Sequence, residues 1–219
     1  MAEYTVYSTS LPVSETNIRN LAAIRDRVLK NLGSDSDFYP NDLIDEYIVM
    51  GFNHIAEEVE MHELSDEQTT QSGIYLYDIP DETIQINTVL YDNKVLIKKE
   101  KKEILKLYNG ISPENITGTP EYFCRENLTQ IRLYPTPSAE KTLTINYSSY
   151  PTDLTNDSDI SQFLRRADFI AECFATFMLK YQDGETDMGA RYERLYYDNL
   201  TRLKMVQIDM PQFIVKEDE

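Results

Sequence analysis

The side chains that could do chemistry in this sequence do not form a catalytic or metal-binding pattern. His54 and His62 lie eight residues apart among several glutamates, whereas a helical metal site needs its ligands about one turn apart. Residues 34–37, Ser-Asp-Ser-Asp, lack the glycine and the closing glutamate of a calcium loop. The sequence contains no nucleophile elbow and no glycine-rich phosphate loop. We therefore expect no metal, no cofactor and no enzymatic activity. The alternative is an enzyme or regulatory module with an acidic site that the spacing of the carboxylates does not reveal.

The composition indicates a globular protein with a strongly acidic surface. The chain has 219 residues, of which 41% are hydrophobic and 27% charged, and its net charge is −17. Phosphate backbones are bound by basic surfaces, so this charge argues against a broad nucleic-acid-binding surface. A surface of like charge repels DNA and keeps passing DNA from sticking. The simpler interpretation, that the acidity aids solubility, is equally consistent with the sequence.

The two cysteines and the apolar segments bear on the cellular compartment. Cys124 and Cys173 are the only cysteines, and their separation suits neither a metal site nor a disulfide framework. The N-terminus lacks the basic region and apolar run of a signal peptide. No segment approaches the roughly 20 apolar residues that a membrane helix needs. We expect a soluble protein made in the cytoplasm, with reduced cysteines and no membrane partner.

Apolar periodicity predicts two helices in the first part of the chain. A short arm, residues 1–14, precedes a helix over residues 15–32, and a second helix follows over about 40–62. Arg25 interrupts the apolar stripe of the first helix. The interpretation that we favour is local: the stem of Arg25 runs past the core to solvent, or its charge pairs with a neighbouring carboxylate. The alternative is an ion pair across a subunit contact. Gly51 lies on the buried face of the second helix and costs about 1 kcal/mol of helix propensity, so we expect another backbone to approach it closely.

The middle of the chain predicts β structure. Residues 64–72 are polar and indicate a linker. Strands are predicted over residues 73–80 and 83–91, and Asp92-Asn93 turns the second into a hairpin. The four lysines between Lys98 and Lys102 surround a glutamate, which is typical of a solvated helix face rather than a nucleic-acid site.

Within residues 111–151, a strand is predicted to begin at 122–124, and residues 130–134 and 142–147 alternate between polar and apolar side chains, which predicts two half-buried strands. Prolines within residues 135–138 interrupt the ladder between two of these strands. We expect a three-stranded antiparallel meander with one wet face.

A second helix pair and an apolar tail follow. Helices are predicted over residues 159–182 and 185–207, and the short connection makes them an antiparallel hairpin. The first of them is apolar on two sides, which is typical of the central helix of a bundle. An apolar tail has to be covered, either by its own bundle or, as we favour, by a neighbouring chain. Its apolar residues are Met210, Pro211, Phe213, Ile214 and Val215.

These elements predict an α+β fold. We expect a four-helix bundle of two hairpin pairs with an inserted antiparallel β platform and extended terminal arms. The predicted parts are an N-terminal arm (1–14), the helical bundle (15–63 with 152–207), the β domain (64–151) and a docking tail (208–219).

Short motifs occur in a fixed order through the β segment: 75–80 (YLYDIP), 118–123 (GTPEYF), 131–137 (IRLYPTP), 142–147 (TLTINY) and 150–155 (YPTDLT). Their order and spacing resemble the head–tail adaptor (connector) proteins of tailed bacteriophages, in particular those of short-tailed phages. In these proteins an aromatic strand ends in an isoleucine–proline or leucine–proline step, and a glycine-x-proline and aromatic-proline-x-proline core follows. The resemblance covers most of residues 15–207.

The resemblance implies a structural role in the virion. Such proteins form a ring, usually twelve-fold, beneath the portal of the capsid, and the ring extends the DNA channel without binding a particular DNA sequence. Their helical bundles pack side by side, their C-terminal segment docks on the portal, and their β platform faces the next tail component. The alternatives are another neck or tail protein, such as a stopper or tail-completion factor, and an enzyme or regulatory module.

Overall fold

A computed structural model describes residues 20–33, 38–59, 63–111, 115–163 and 165–208. The helices are α1 (Leu21–Leu32), α2 (Asn41–Val59), α3 (Lys101–Leu107), α4 (Arg165–Gln182) and α5 (Thr186–Ile208). The strands are β1 (Glu63–Thr69), β2 (Leu76–Asp78), β3 (Thr83–Tyr91), β4 (Lys94–Val95), β5 (Ile97–Lys98), β6 (Thr117–Gly118), β7 (Tyr122–Arg125), β8 (Gln130–Tyr134), β9 (Thr136–Pro137) and β10 (Thr142–Ser149). The described residues divide into two compact units: a helical unit, up to Phe52 and from Thr152 onward, and a β unit, Asn53–Pro151.

Capping residues set both ends of α1 in the helical unit. The side-chain oxygen of Asn20 accepts a hydrogen bond of 3.0 Å from the backbone N–H of Ala23, which satisfies a donor that the first turn leaves unpaired. Gly33 follows the last turn with a φ of 66°, a left-handed conformation that glycine adopts without strain. The predicted helix start at residue 15 lies outside the described residues. The buried stripe of α1 consists of Leu21, Ile24, Val28 and Leu32.

α4 is the central helix of this unit, because α1 and α5 both pack against it and residues 170–177 are all buried. α2 approaches α4 at Gly51. A Cβ atom placed on Gly51 would lie 3.2 Å from Cα of Ala171 and 3.1 Å from Cβ of Phe174. The predicted close approach of another backbone at Gly51 is therefore confirmed.

The β unit contains two four-stranded sheets, with strand orders β1-β10-β3-β4 and β2-β8-β7-β5. Asp92 and Asn93 both have positive φ, 51° and 64°, which suits the tight turn between β3 and β4 and confirms the predicted hairpin. The two sheets share one apolar core, formed by Tyr77, Ile79, Ile86, Val89, Tyr91, Leu96, Phe123, Ile131, Leu133, Leu143, Ile145 and Tyr147. A second, smaller apolar cluster is formed by Ile104 of α3 with Cys124 and Tyr134.

The chain is α+β, but the predicted architecture is wrong. The described residues form five helices and three sheets, not a four-helix bundle of two hairpin pairs with one antiparallel platform. α1 makes its main helix contacts with α4 rather than α2, so the first two helices do not form a self-packed hairpin. Two of the sheets also contain parallel pairs, β5 with β7 and β6 with β9. The predicted terminal arms lie outside the described residues.

Two predictions about the β segment are wrong for identifiable reasons. The predicted linker forms β1, which pairs along its whole length with β10. Its side chains are mostly exposed because it is an edge strand, so its sequence carries no apolar alternation. The predicted meander is divided between two sheets, since β8 and β10 belong to different ones. Between them β9 pairs with β6 and carries the chain from one sheet to the other.

Candidate assembly surfaces

Arg25 joins α1, α2 and the loop before α4. Its Nε donates a hydrogen bond of 2.7 Å to Oδ1 of Asp45, and its Nη2 donates to Oδ2 of the same carboxylate. Its Nη1 lies 2.9 Å from Oδ1 of Asp157. The hydrogen bond to Asp45 is the main cause that raises the pKa of Arg25 above its ordinary value. Two bonds to one carboxylate fix the guanidinium in position as well as pairing its charge.

The loop that contributes Asp157 is held by its own hydrogen bonds. The Asp159 carboxylate accepts from the backbone N–H groups of Asn156 and Thr155, each at 2.8 Å. These two bonds lower the pKa of the Asp159 carboxyl, and the bond from Asn156 has the larger effect. The carbonyl oxygen of Asp159 in turn accepts a hydrogen bond of 2.9 Å from the backbone N–H of Leu21. The loop therefore positions the first turn of α1.

The surroundings of Arg25 bear on both interpretations of this residue. The structure places Arg25 beside Asp45 and Asp157 of its own chain, which is one of the two local explanations that were favoured. A contact with a second subunit stays a prediction. The other residues predicted for an interface, Met210, Pro211, Phe213, Ile214 and Val215, lie outside the described residues, and the interface role of this tail stays a prediction too.

Sequence reasoning missed a buried polar stripe on α4. Glu172 accepts a hydrogen bond from Nε of Arg27 on α1. The ammonium group of Lys180 lies 3.0 Å from the carbonyl oxygen of Leu32 and 2.9 Å from the carboxylate of Glu185. The spacing of four residues places these side chains on one face of α4, but a solvated helix face has the same spacing, so the sequence alone does not indicate that the face is buried. The stripe consists of Asp168, Glu172, Thr176 and Lys180, each at most 5% exposed.

In the β unit, α3 presents lysines to solvent. Lys101, Lys102 and Lys106 are all exposed, which agrees with the predicted solvated face. Lys101 donates a hydrogen bond of 2.6 Å to Glu126, and this bond is the main cause that lowers the pKa of the Glu126 carboxyl. Lys101 is thus held by its own chain, whereas Lys102 and Lys106 make no ion pair with a carboxylate in the part of the chain that the structure describes.

Among the described residues, the groups that could do covalent or metal chemistry are not assembled for it. Both thiols are buried; burial raises the pKa of Cys173 to about 12 and also raises that of Cys124, so both are protonated at neutral pH. Within the described residues, no group of three or more His, Cys, Asp or Glu side chains could hold a metal ion. Among the described helices, none combines the length and the apolar character needed to span a bilayer.

The comparison with known families gives the class of protein. A model of the SU10 adaptor protein family matches residues 19–214. The match spans nearly the whole chain, which therefore belongs to the SU10 adaptor protein family and is a structural adaptor of a bacteriophage. The resemblance to phage head–tail adaptors is confirmed. The comparison with curated proteins gave no match.

Proposed function

We propose that copies of this chain form a twelve-membered ring between the capsid portal and the tail, and that the lumen of the ring extends the DNA channel. The family match over residues 19–214 carries this proposal, because an adaptor of the virion has to join other virion components. The ring acts by contact and shape rather than by catalysis.

The sequence supports particular roles for its parts. The net charge of −17 suits a lumen along which DNA slides without being held. The helical residues, 15–63 with 152–207, would pack side by side in the ring, with Arg25 at a subunit contact. The β domain, 64–151, would face the next tail component. The tail, 208–219, would dock on the portal through Met210, Pro211, Phe213, Ile214 and Val215.

Native mass analysis of the assembled particle tests the proposed ring. The tagged chain is purified from cells that also make its natural partners, and the masses of the intact complexes are measured. We expect a large ring of this chain bound to a second ring, the portal. A monomer or small oligomer without a large partner would contradict the proposal. A ring bound only to a later tail component would indicate a stopper or tail-completion factor instead.

The tail gives a sharper prediction with the same measurement. Deletion of residues 208–219 should leave the fold and the ring intact and abolish portal binding, because apolar residues beyond the last helix would supply that contact. A matched variant keeps the tail length and its acidic end but replaces Met210, Phe213, Ile214 and Val215 with serine. It should lose the portal as the deletion does. Unchanged portal binding by the truncated chain would show that the contact lies elsewhere.

A further inference from the structure

α3 carries an outward face that no described residue covers. Ile104 is fully buried against the β unit, so the helix periodicity of 3.6 residues places Lys102 and Lys106 on the opposite side, one turn apart. Both lysines are exposed. Between residues 94 and 106 the sequence has six lysines and two glutamates, in a chain that is otherwise strongly acidic. This segment is therefore locally cationic in an acidic chain.

Apolar side chains accompany these lysines. Val95, Ile97 and Leu107 are each more than half exposed and flank the lysines in sequence. A phosphate backbone is recognised by charge and hydrogen bonds alone, whereas protein interfaces combine apolar contacts with a charged rim. The mixed character of this segment favours an acidic protein partner over DNA. We name the exposed residues on α3 itself, Lys102, Lys106 and Leu107, the α3 surface.

α2 carries a face of the opposite charge. Asp42, Glu46 and Met50 follow one another at one-turn spacing and are all exposed, on the side opposite the buried Ile44 and Ile48. No lysine or arginine occurs in Asn41–Val59. This α2 face thus offers two carboxylates spaced like the two lysines, with an apolar side chain beside them.

We propose that the α3 surface of one copy docks on the α2 face of the next copy in the ring. The proposal rests on the ring proposed above. A ring of identical chains needs two different, complementary surfaces on each chain, because its contacts are head-to-tail rather than two-fold. Lys102 and Lys106 then face Asp42 and Glu46 of the neighbouring copy, and Leu107 packs near Met50. Such pairs also offset the repulsion between copies that each carry a charge of −17.

Charge reversal on each surface tests this contact in the full chain. The first variant carries Lys102→Glu and Lys106→Glu; the second carries Asp42→Lys and Glu46→Lys. Each alone should weaken ring formation on the order of 100-fold, since opposed like charges cost several kcal/mol at an interface. Mixing the two variants should restore rings in which they alternate, because each unlike pair then meets opposite charges. One chain with all four changes should also assemble.

A control variant with Arg125→Glu and Lys141→Glu changes the net charge as much as the first variant does, at exposed positions outside the α3 surface and outside the helical residues proposed to pack in the ring. It should assemble normally, and thermal unfolding should show that all variants fold. Normal rings from the first variant, failure of the mixture to assemble, or equal loss in the control would overturn the α3–α2 contact. If the first variant formed intact rings that no longer bind the next tail component, the α3 surface would belong to that partner, and the α3–α2 contact would be overturned as well. A wild-type chain that forms no ring would overturn both this contact and the proposed function.

Discussion

α4 packs against α1 on one side and against α5 on another, and the two contacts differ in their chemistry. Towards α5 the contact is aromatic: the ring of Tyr196 lies 5.4 Å from that of Phe174 and 5.7 Å from that of Phe177, centroid to centroid. Towards α1 it includes the buried polar stripe, with Glu172 bonded to Arg27 and Lys180 to the end of α1. α4 therefore packs against α5 through aromatic rings and against α1 partly through buried polar side chains.

The two contacts contribute different things to the fold. Aromatic burial is strong but tolerates small shifts in position, because it depends mainly on the area removed from water. A buried ion pair adds little net stability, since both charges lose their hydration, but it is directional. Lys180 also places its charge at the carbonyl end of α1, where the helix dipole favours a cation. We infer that the aromatic contact stabilises the helical unit and that the polar stripe fixes the position of α1.

The aromatic contact should show the largest effect on stability. Tyr196 is 1% exposed, and its replacement by alanine leaves a cavity between α4 and α5. We expect Tyr196→Ala to lower the free energy of unfolding by about 3–5 kcal/mol, the range for large aromatic truncations. Urea denaturation measures this. The control, Tyr196→Phe, keeps the ring and should lose much less; a loss below about 1 kcal/mol for the alanine variant would contradict the inference.

The polar stripe should respond differently to single and paired changes. Glu172→Ala leaves the Arg27 guanidinium without its partner, and we expect a loss of about 2–3 kcal/mol, below the value for a fully buried pair because Arg27 is partly exposed. Replacing both partners, Arg27→Met with Glu172→Leu, should recover most of that loss. Denaturation of the wild type and the two variants measures both losses. If the paired variant were as unstable as Glu172→Ala, the ion pair would contribute net stability and would not only fix the position of α1.

Local patterns in the sequence were enough to predict several features. The turn at Asp92 and Asn93 follows from residues that tolerate positive φ, and the close approach at Gly51 follows from a glycine on an otherwise apolar helix face. The central position of α4 follows from its apolar residues on more than one side. Each of these signals lies within one element, where spacing and residue type determine the outcome.

Features that depend on distant partners could not be predicted in the same way. Glu172 has the residue type and spacing of a solvated face, and it is buried because Arg27, 145 residues away, reaches it. β1 is polar because its edge position leaves it exposed, and only its pairing with β10 makes it a strand. Phe169 is one of the apolar residues of α4, yet its side chain is 40% exposed. Among the candidate site residues, Arg25 could be expected to pair with a carboxylate, but its partners could not be identified.

Of the changes proposed here, Arg25→Ala should have the smallest effect on the free energy of unfolding of the single chain. The two carboxylates that Arg25 binds are more exposed than Glu172: Asp45 is 19% and Asp157 74% exposed, against 3% for Glu172. Because water can hydrate these carboxylates once the guanidinium is removed, we expect Arg25→Ala to cost only about 1 kcal/mol in the unfolding of the single chain. If Arg25 also contacts a neighbouring subunit, ring formation should fall by a larger factor than this loss explains. Arg25→Lys keeps the charge but not the two-bond geometry and should behave in between. Matched losses in unfolding and in ring formation, measured by denaturation and native mass analysis, would restrict Arg25 to a role inside its own chain.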